Sequence, residues 1–207
     1  MPKMIDISPM ISPELAVWTG DTPFSHRFLC RFDGGANLDL STITTTVHLG
    51  AHTDAPSHYH PTGETMESRP LELYYGPCQI ITVDIPRGER VMPAHLNGVK
   101  IVAERVLFHT KSFPDPNHFN TDFNALSPEL VDYCAERGVR LIGLDTPSVD
   151  PYSSKALESH NAIFRHDMAV LEGVVLTSVE DGIYTLIALP LKIHGSDASP
   201  VRAVLVR

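Results

Sequence analysis

The chain has 207 residues, 43% of them hydrophobic and 20% charged, a balance that excludes disordered, collagen-like and coiled-coil chains and leaves room for one sizeable core. Sixteen Lys and Arg stand against twenty-five Asp and Glu, and the net charge of −9 argues against phosphate backbones and anionic membranes as partners; a small neutral or cationic ligand, or a metal ion, fits better. Cys30, Cys78 and Cys134 are too few and too widely spaced for a disulfide framework or a CxxC zinc site, which points to a reducing cytoplasm.

At the N-terminus, MPKMIDISPM lacks the apolar stretch of a secretory signal. No run approaches the roughly 18 apolar residues that cross a bilayer, so a soluble, cytoplasmic protein is expected. The β-branched run STITTTVHL (41–49) predicts a strand leading straight into a group of histidines. Apolar runs between Gly and Pro punctuation predict further strands over 78–85, 105–110, 139–145, 173–179, 184–191 and 201–207. One helix stands out in SPELVDYCAERG, with Ser127 as N-cap, Pro128 in the first helical position, Val131, Cys134 and Ala135 on one face, and Gly138 as the stop. Shorter helices are predicted over 92–96 and 162–170. Strands outnumber helices and alternate with them only in part. The expected class is therefore α/β, a single compact domain over 1–207 with mixed β-sheets packed with helices.

The stretch HLGAHTDAPSHYH holds four of the eleven histidines and an aspartate. His48, His52, Asp54 and His58 share one parity, as if on one face of a strand. A straight strand would hold His48 and His52 roughly 13 Å apart, too far for one metal with ligand bonds near 2 Å. The chain must bend between them, and Gly50 and Pro56 supply the means. Imidazole and carboxylate without thiolate suit Zn²⁺, while Mn²⁺ or another divalent ion is admitted by the same donors. The alternative is a polar loop with incidental histidines.

Further donors lie in ESHNAIFRHDMAVLEG, which contains His160, His166, Asp167 and Glu172. In one straight helix His160 and Glu172 would stand about 18 Å apart. A short helix between them, with His160 just before it and Glu172 at the turn beyond, would let both face one centre. On spacing alone, a helix-capping histidine and a surface glutamate are the favoured account of them.

The string from His48 to His58 resembles the HxGTHxDxPxH motif of the cyclase family of metal-dependent amide hydrolases, and within that family the chain is similar to the bacterial kynurenine formamidases. Further blocks in the same order support the likeness: VWTGDTPF, GPCQII, LIGLDTPSVDP, SSKALESHNAIFRHDMAVLEGVVL and YTLIALPLKIHGSDASPVRAVL. Ala51 departs from the motif's Thr at a position between ligands, and Thr19 stands where similar enzymes tend to have Pro. The resemblance implies a swivelling β/β/α-like fold, a homodimer and two zinc ions per subunit. It implies that His48, His52 and Asp54 bind the first ion, Asp54 and His160 the second, and Glu172 both. It carries His58 over as proton donor and acceptor and Trp18 as a substrate contact.

The reaction so implied is hydrolysis of N-formyl-L-kynurenine to L-kynurenine and formate in tryptophan degradation. An amide resists hydrolysis because its carbonyl is a poor electrophile and its amine a poor leaving group. A pair of metal ions addresses the first difficulty, and a histidine that exchanges protons near neutrality addresses the second. Trp18, the only tryptophan, offers a flat face to an aromatic ring, or is a plain core residue. His58 as a third ligand, an enzyme opening a cyclic aromatic amide such as isatin, and a non-catalytic metal-binding protein are the competing readings. His60 shares the cluster's parity but lies past the motif, as a rim or surface histidine, and His26, His95, His109, His118 and His194 have no supporting spacing.

Overall fold

The computed structural model describes residues 3–207. In chain order the elements are β1 (Met4–Asp6), β2 (Ser25–Cys30), β3 (Leu40–Thr44), β4 (His52–Asp54), α1 (Pro56–Tyr59), β5 (Tyr75–Thr82), β6 (Arg90–Val91), β7 (Arg105–His109), β8 (Ala125–Leu126), α2 (Pro128–Ala135), β9 (Leu141–Leu144), α3 (Glu158–Arg165), β10 (Ala169–Leu171), β11 (Gly182–Ile187), β12 (Ala198–Pro200) and β13 (Val204–Val206). Seven of these make one mixed sheet in the order β1-β13-β11-β5-β7-β9-β10. The pairs from β1 to β5 are antiparallel, and those from β5 to β10 are parallel.

Alternation along the strands splits the core into two layers. Ile80, Leu107, Leu141 and Leu171 point to one face with Tyr74, Val174 and Leu176. Ile81, Val106, Phe108, Ile142 and Val170 point to the other, where Leu130 and Val131 of α2 and Ala162 and Ile163 of α3 cover them. Both faces of the parallel half are thus buried, which is why its strands read as continuous apolar runs. Helix α2 begins as expected: Ser127 Oγ accepts the Leu130 N–H at 3.0 Å, and Gly138 takes φ +81° just past the end.

Several expectations need correction. The run 173–179 is not a strand, although Val174, Leu176 and Val179 are buried. It packs on the sheet as an irregular segment, because its backbone finds partners one at a time, such as Val175 N–H to the Ile7 carbonyl at 2.7 Å. The helix expected over 162–170 lies earlier, over Glu158–Arg165, with Asp167 at φ +49° breaking the chain before β10. The segment 92–96 forms a 3-10 turn over Pro93–Leu96, too short for an α-helix. The strand expected over 41–49 stops at Thr44, because β3 pairs only with β2 in a projecting ribbon. His48 then follows in a loop.

That loop feeds β4, which is held on both edges. One edge pairs antiparallel with β12, Asp54 opposite Ala198. On the other, His52 and Glu172 exchange backbone hydrogen bonds at 3.1 and 2.9 Å. The motif histidines, the chain beyond β10 and the C-terminal segment therefore meet at one place.

Candidate metal centre and active site

The bend demanded by the spacing of His48 and His52 occurs at Gly50, whose φ is +57°. A second glycine completes it. Gly173, at φ +66°, lies so close that a Cβ there would stand 2.2 Å from the Gly50 carbonyl oxygen. This contact of two bare backbones lets Glu172 sit directly beside His52.

His52 is buried, and its Nδ1 donates to the Gly50 carbonyl at 2.9 Å. The opposite nitrogen, Nε2, lies 3.5 Å from Asp54 Oδ1 and 3.3 Å from Glu172 Oε2. His48 joins the same side, with Nδ1 2.9 Å from Asp54 Oδ1. His160 lies within the first turn of α3 rather than just before it. Its Nδ1 bonds Asp150 at 2.9 Å, and its Nε2 lies 3.5 Å from both Asp54 Oδ2 and Glu172 Oε1. Each carboxylate thus turns one oxygen toward the His48–His52 side and the other toward His160.

The donor set fits a cation. Asp54 Oδ1 and His160 Nε2 are buried without any hydrogen-bond partner, the approach of His48 to Asp54 falling outside hydrogen-bonding geometry. Such orphaned atoms are costly unless something charged satisfies them. Ligand atoms of His48, His52 and Asp54, and of Asp54, His160 and Glu172, lie within 4.8 Å of one another in each set. The electrostatics agree. Burial alone would lower the pKa of His48, but Asp54 and Asp197 outweigh it and raise it to about 9. His160 is likewise raised against its burial by Asp150, Asp54 and Glu172, and Asp54 is held low against its own by His160 and His48. Two buried carboxylates thus demand positive charge, which a divalent ion supplies without protonating the imidazoles.

His58 stands on α1 at the edge of this group, half-exposed. Its Nδ1 bonds Asp197 at 3.2 Å and its Nε2 is 3.9 Å from Asp54 Oδ2. Two partners gave no spacing signal in the sequence. Asp197 reaches His48 and His58 because β12 pairs with β4, and Asp150 accepts from His160 Nδ1 and from the backbone N–H groups of Ser159 and His160. Both lie in blocks that carry the family likeness, but their contacts arise from folding. His166 and Asp167 face away, paired with Asp132 and Arg69.

The cluster forms the floor of a cavity of about 500 Å³, a size suited to a small aromatic ligand. Trp18 lines it, with its ring 4.9 Å from Tyr152 and 5.5 Å from Phe119. The Trp is thus neither free nor plain core: one side rests on aromatics, and the residue borders the cavity.

Comparison with known proteins gives the family. The family described as "Putative cyclase" matches residues 5–151. A kynurenine formamidase of Maricaulis maris (strain MCS10) is 46% identical over 206 residues, covering 99% of this chain and 98% of that protein. One of Bordetella avium (strain 197N) is 43% identical with the same coverage. A solved structure described as a potential metal-dependent hydrolase with cyclase activity is 25% identical, with a TM-score of 0.86 over 100% of this chain and 98% of its own.

Proposed function

The chain belongs to the cyclase family, and from that premise we propose that it hydrolyses N-formyl-L-kynurenine to L-kynurenine and formate, at a centre holding two zinc ions. The observation that carries this reading is the division of Asp54 and Glu172 between a His48–His52 side and a His160 side, at the floor of a cavity bordered by Trp18. The kynurenine formamidases to which the chain is similar support the choice of substrate.

His48, His52 and Asp54 would hold one ion and Asp54 and His160 the other, with Glu172 available to both. Bound there, the ions supply a polarised formyl carbonyl and a water acidic enough to attack it near neutral pH. The chain does the rest. Asp197 holds the His58 ring through Nδ1, which leaves Nε2 facing Asp54. At Nε2 the ring takes a proton from the attacking water and returns it to the departing aryl nitrogen. Trp18 presents its face to the anthraniloyl ring, and the Gly50–Gly173 contact fixes the distance between His52 and Glu172.

The whole chain, 1–207, works as one hydrolase domain in the cytoplasm, as a homodimer. The ribbon of β2 and β3 supports the dimer, since Phe28, Leu29, Phe32, Leu40 and Ile43 on or beside it are exposed. The test is kynurenine release by zinc-loaded protein beside a chelated sample and His58→Ala, with isatin assayed in parallel. Expected is turnover lost on chelation, and a fall of roughly 10²–10⁴-fold in His58→Ala with metal content retained. Turnover of isatin but not of the formamide would overturn the substrate assignment.

A further inference from the structure

The cavity carries more charge than hydrolysis of a formamide requires. Of the charged groups lining it, His48, His52, Asp54, His58, His160 and Glu172 belong to the centre described above. Asp145 is committed elsewhere: its carboxylate accepts from Thr110 N–H, Thr110 Oγ1 and Lys111 N–H at 2.9, 2.7 and 2.9 Å. Two charges of opposite sign remain, Lys111 and Asp21, the latter with one carboxylate oxygen accepting the Thr22 N–H at 2.6 Å and the other uncommitted. Neither makes an ion pair with any charged side chain among the described residues.

Lys111 is held there against its own preference. Its φ of +61° is in the left-handed region, where a lysine gains nothing from its side chain and loses to contact between Cβ and carbonyl. The three hydrogen bonds to buried Asp145 maintain this conformation just past the end of β7, beside the end of β9. Parallel strands end there, the edge of such a sheet at which ligands bind. Strain preserved by a buried carboxylate at the rim of a cavity marks a side chain whose direction matters. Asp21 arrives from the other side of the sequence, in the turn closed by its N–H to the Trp18 carbonyl at 2.9 Å. That turn ties the acid to the same short segment as the tryptophan.

From this arrangement we infer that Lys111 and Asp21 bind the zwitterionic amino-acid tail of the substrate, Lys111 Nζ taking the α-carboxylate and an Asp21 carboxylate oxygen the α-ammonium. The inference rests on the formamidase reading above and adds to it the two residues that select an aryl formamide bearing an α-amino acid over a simple formanilide. Asp145 is a positioning residue, acting through the backbone of Lys111.

The test compares kcat/KM for N-formyl-L-kynurenine with that for 2-formamidoacetophenone, which keeps the aryl formamide and the ketone but lacks the amino acid. Zinc-loaded wild type, Lys111→Gly and Asp21→Asn are assayed side by side. The wild type should prefer the amino-acid substrate. In each variant the ratio should fall by about tenfold or more, the scale of a lost charge-assisted hydrogen bond, and the change should enter through KM. Lys111→Gly should also melt no lower than the wild type, because glycine accepts φ +61° without strain. A ratio unchanged in both variants, or a wild type that does not prefer the amino-acid substrate, would overturn this inference and leave the formamidase standing. A wild type inactive on both formamides would overturn the formamidase reading and this inference together.

Discussion

The contact between Gly173 and Gly50 gives a sharp prediction, because one methyl group should both destabilise the fold and damage the centre. In Gly173→Ala the new Cβ would stand 2.2 Å from the Gly50 oxygen and 2.9 Å from its carbon. Carbon contacts settle at about 3.5 Å or beyond, so roughly 1 Å of separation must be found between two backbone segments. The flanking hydrogen bonds between His52 and Glu172, at 3.1 and 2.9 Å, must stretch to provide it. Left-handed strain of about 1–2 kcal/mol, overpacking of about 1–3 and partial loss of two hydrogen bonds together give ~3–5 kcal/mol. Gly50→Ala is the control: its φ of +57° brings similar strain, but its Cβ meets the side chains of Pro9 and Leu15 at 2.9 and 3.2 Å. Leu15 can rotate away and a proline ring can shift, so that variant should cost about 2 kcal/mol less. Urea denaturation in chelator measures both, and metal content after dialysis against zinc measures the centre. A Gly173→Ala protein within about 1 kcal/mol of the wild type, or no less stable than Gly50→Ala, would refute the role given to this contact.

Asp150→Asn keeps the size of a buried side chain but removes the charge that Arg90 and His160 share at 2.9 Å each. It should lower zinc affinity about 10–100-fold, read by competition with a chromogenic chelator. Ser127→Ala should cost about 1 kcal/mol in urea denaturation through loss of the α2 cap. Glu67 is held down to about 2, chiefly by the Gly195 N–H at 2.8 Å. A carboxyl lowered on folding stabilises above its unfolded pKa, near 4.5, and ceases to do so as pH falls through 2. The stability gap between wild type and Glu67→Gln should accordingly be constant above pH 4.5 and close between 4.5 and 2, as thermal melts across that range would show.

The sequence was most legible where one local rule dominated. Strands β7 and β9 are short apolar runs buried on both faces, and α2 carries its cap, its proline and its stopping glycine in the chain itself. It was least legible where burial and hydrogen bonding part company. Residues 173–179 have the composition of a strand because they are buried, yet no neighbour runs alongside them to form a ladder. The helix carrying His160 starts earlier than its sequence suggests because Leu157, at φ +47°, offers no side-chain cap of its own, and the first N–H groups are taken by Asp150 from upstream. In the candidate site, the motif spacing indicated which side chains belong together and that the chain must bend at Gly50. It could not indicate Asp197, Asp150 or Lys111. Asp197 depends on the pairing of β12 with β4, and Lys111 on a backbone angle that its side-chain chemistry does not announce.

The division of Asp54 and Glu172 between two groups of histidines also bears on the order of events during synthesis. His48, His52 and Asp54 leave the ribosome early, while His160 and Glu172 follow only after β5, β7 and β9 have emerged, and Asp197 comes later still. The early trio offers a nascent chain three donors on a loop and a strand that has no edge to pair with until Glu172 and β12 arrive. A tight site cannot form before those distant segments dock, since closing so long a loop precedes any gain from the contacts it makes. On the proposed two-ion reading, metal capture would be a late step that seals a nearly finished chain, and a truncated product ending before β10 would hold ions only weakly.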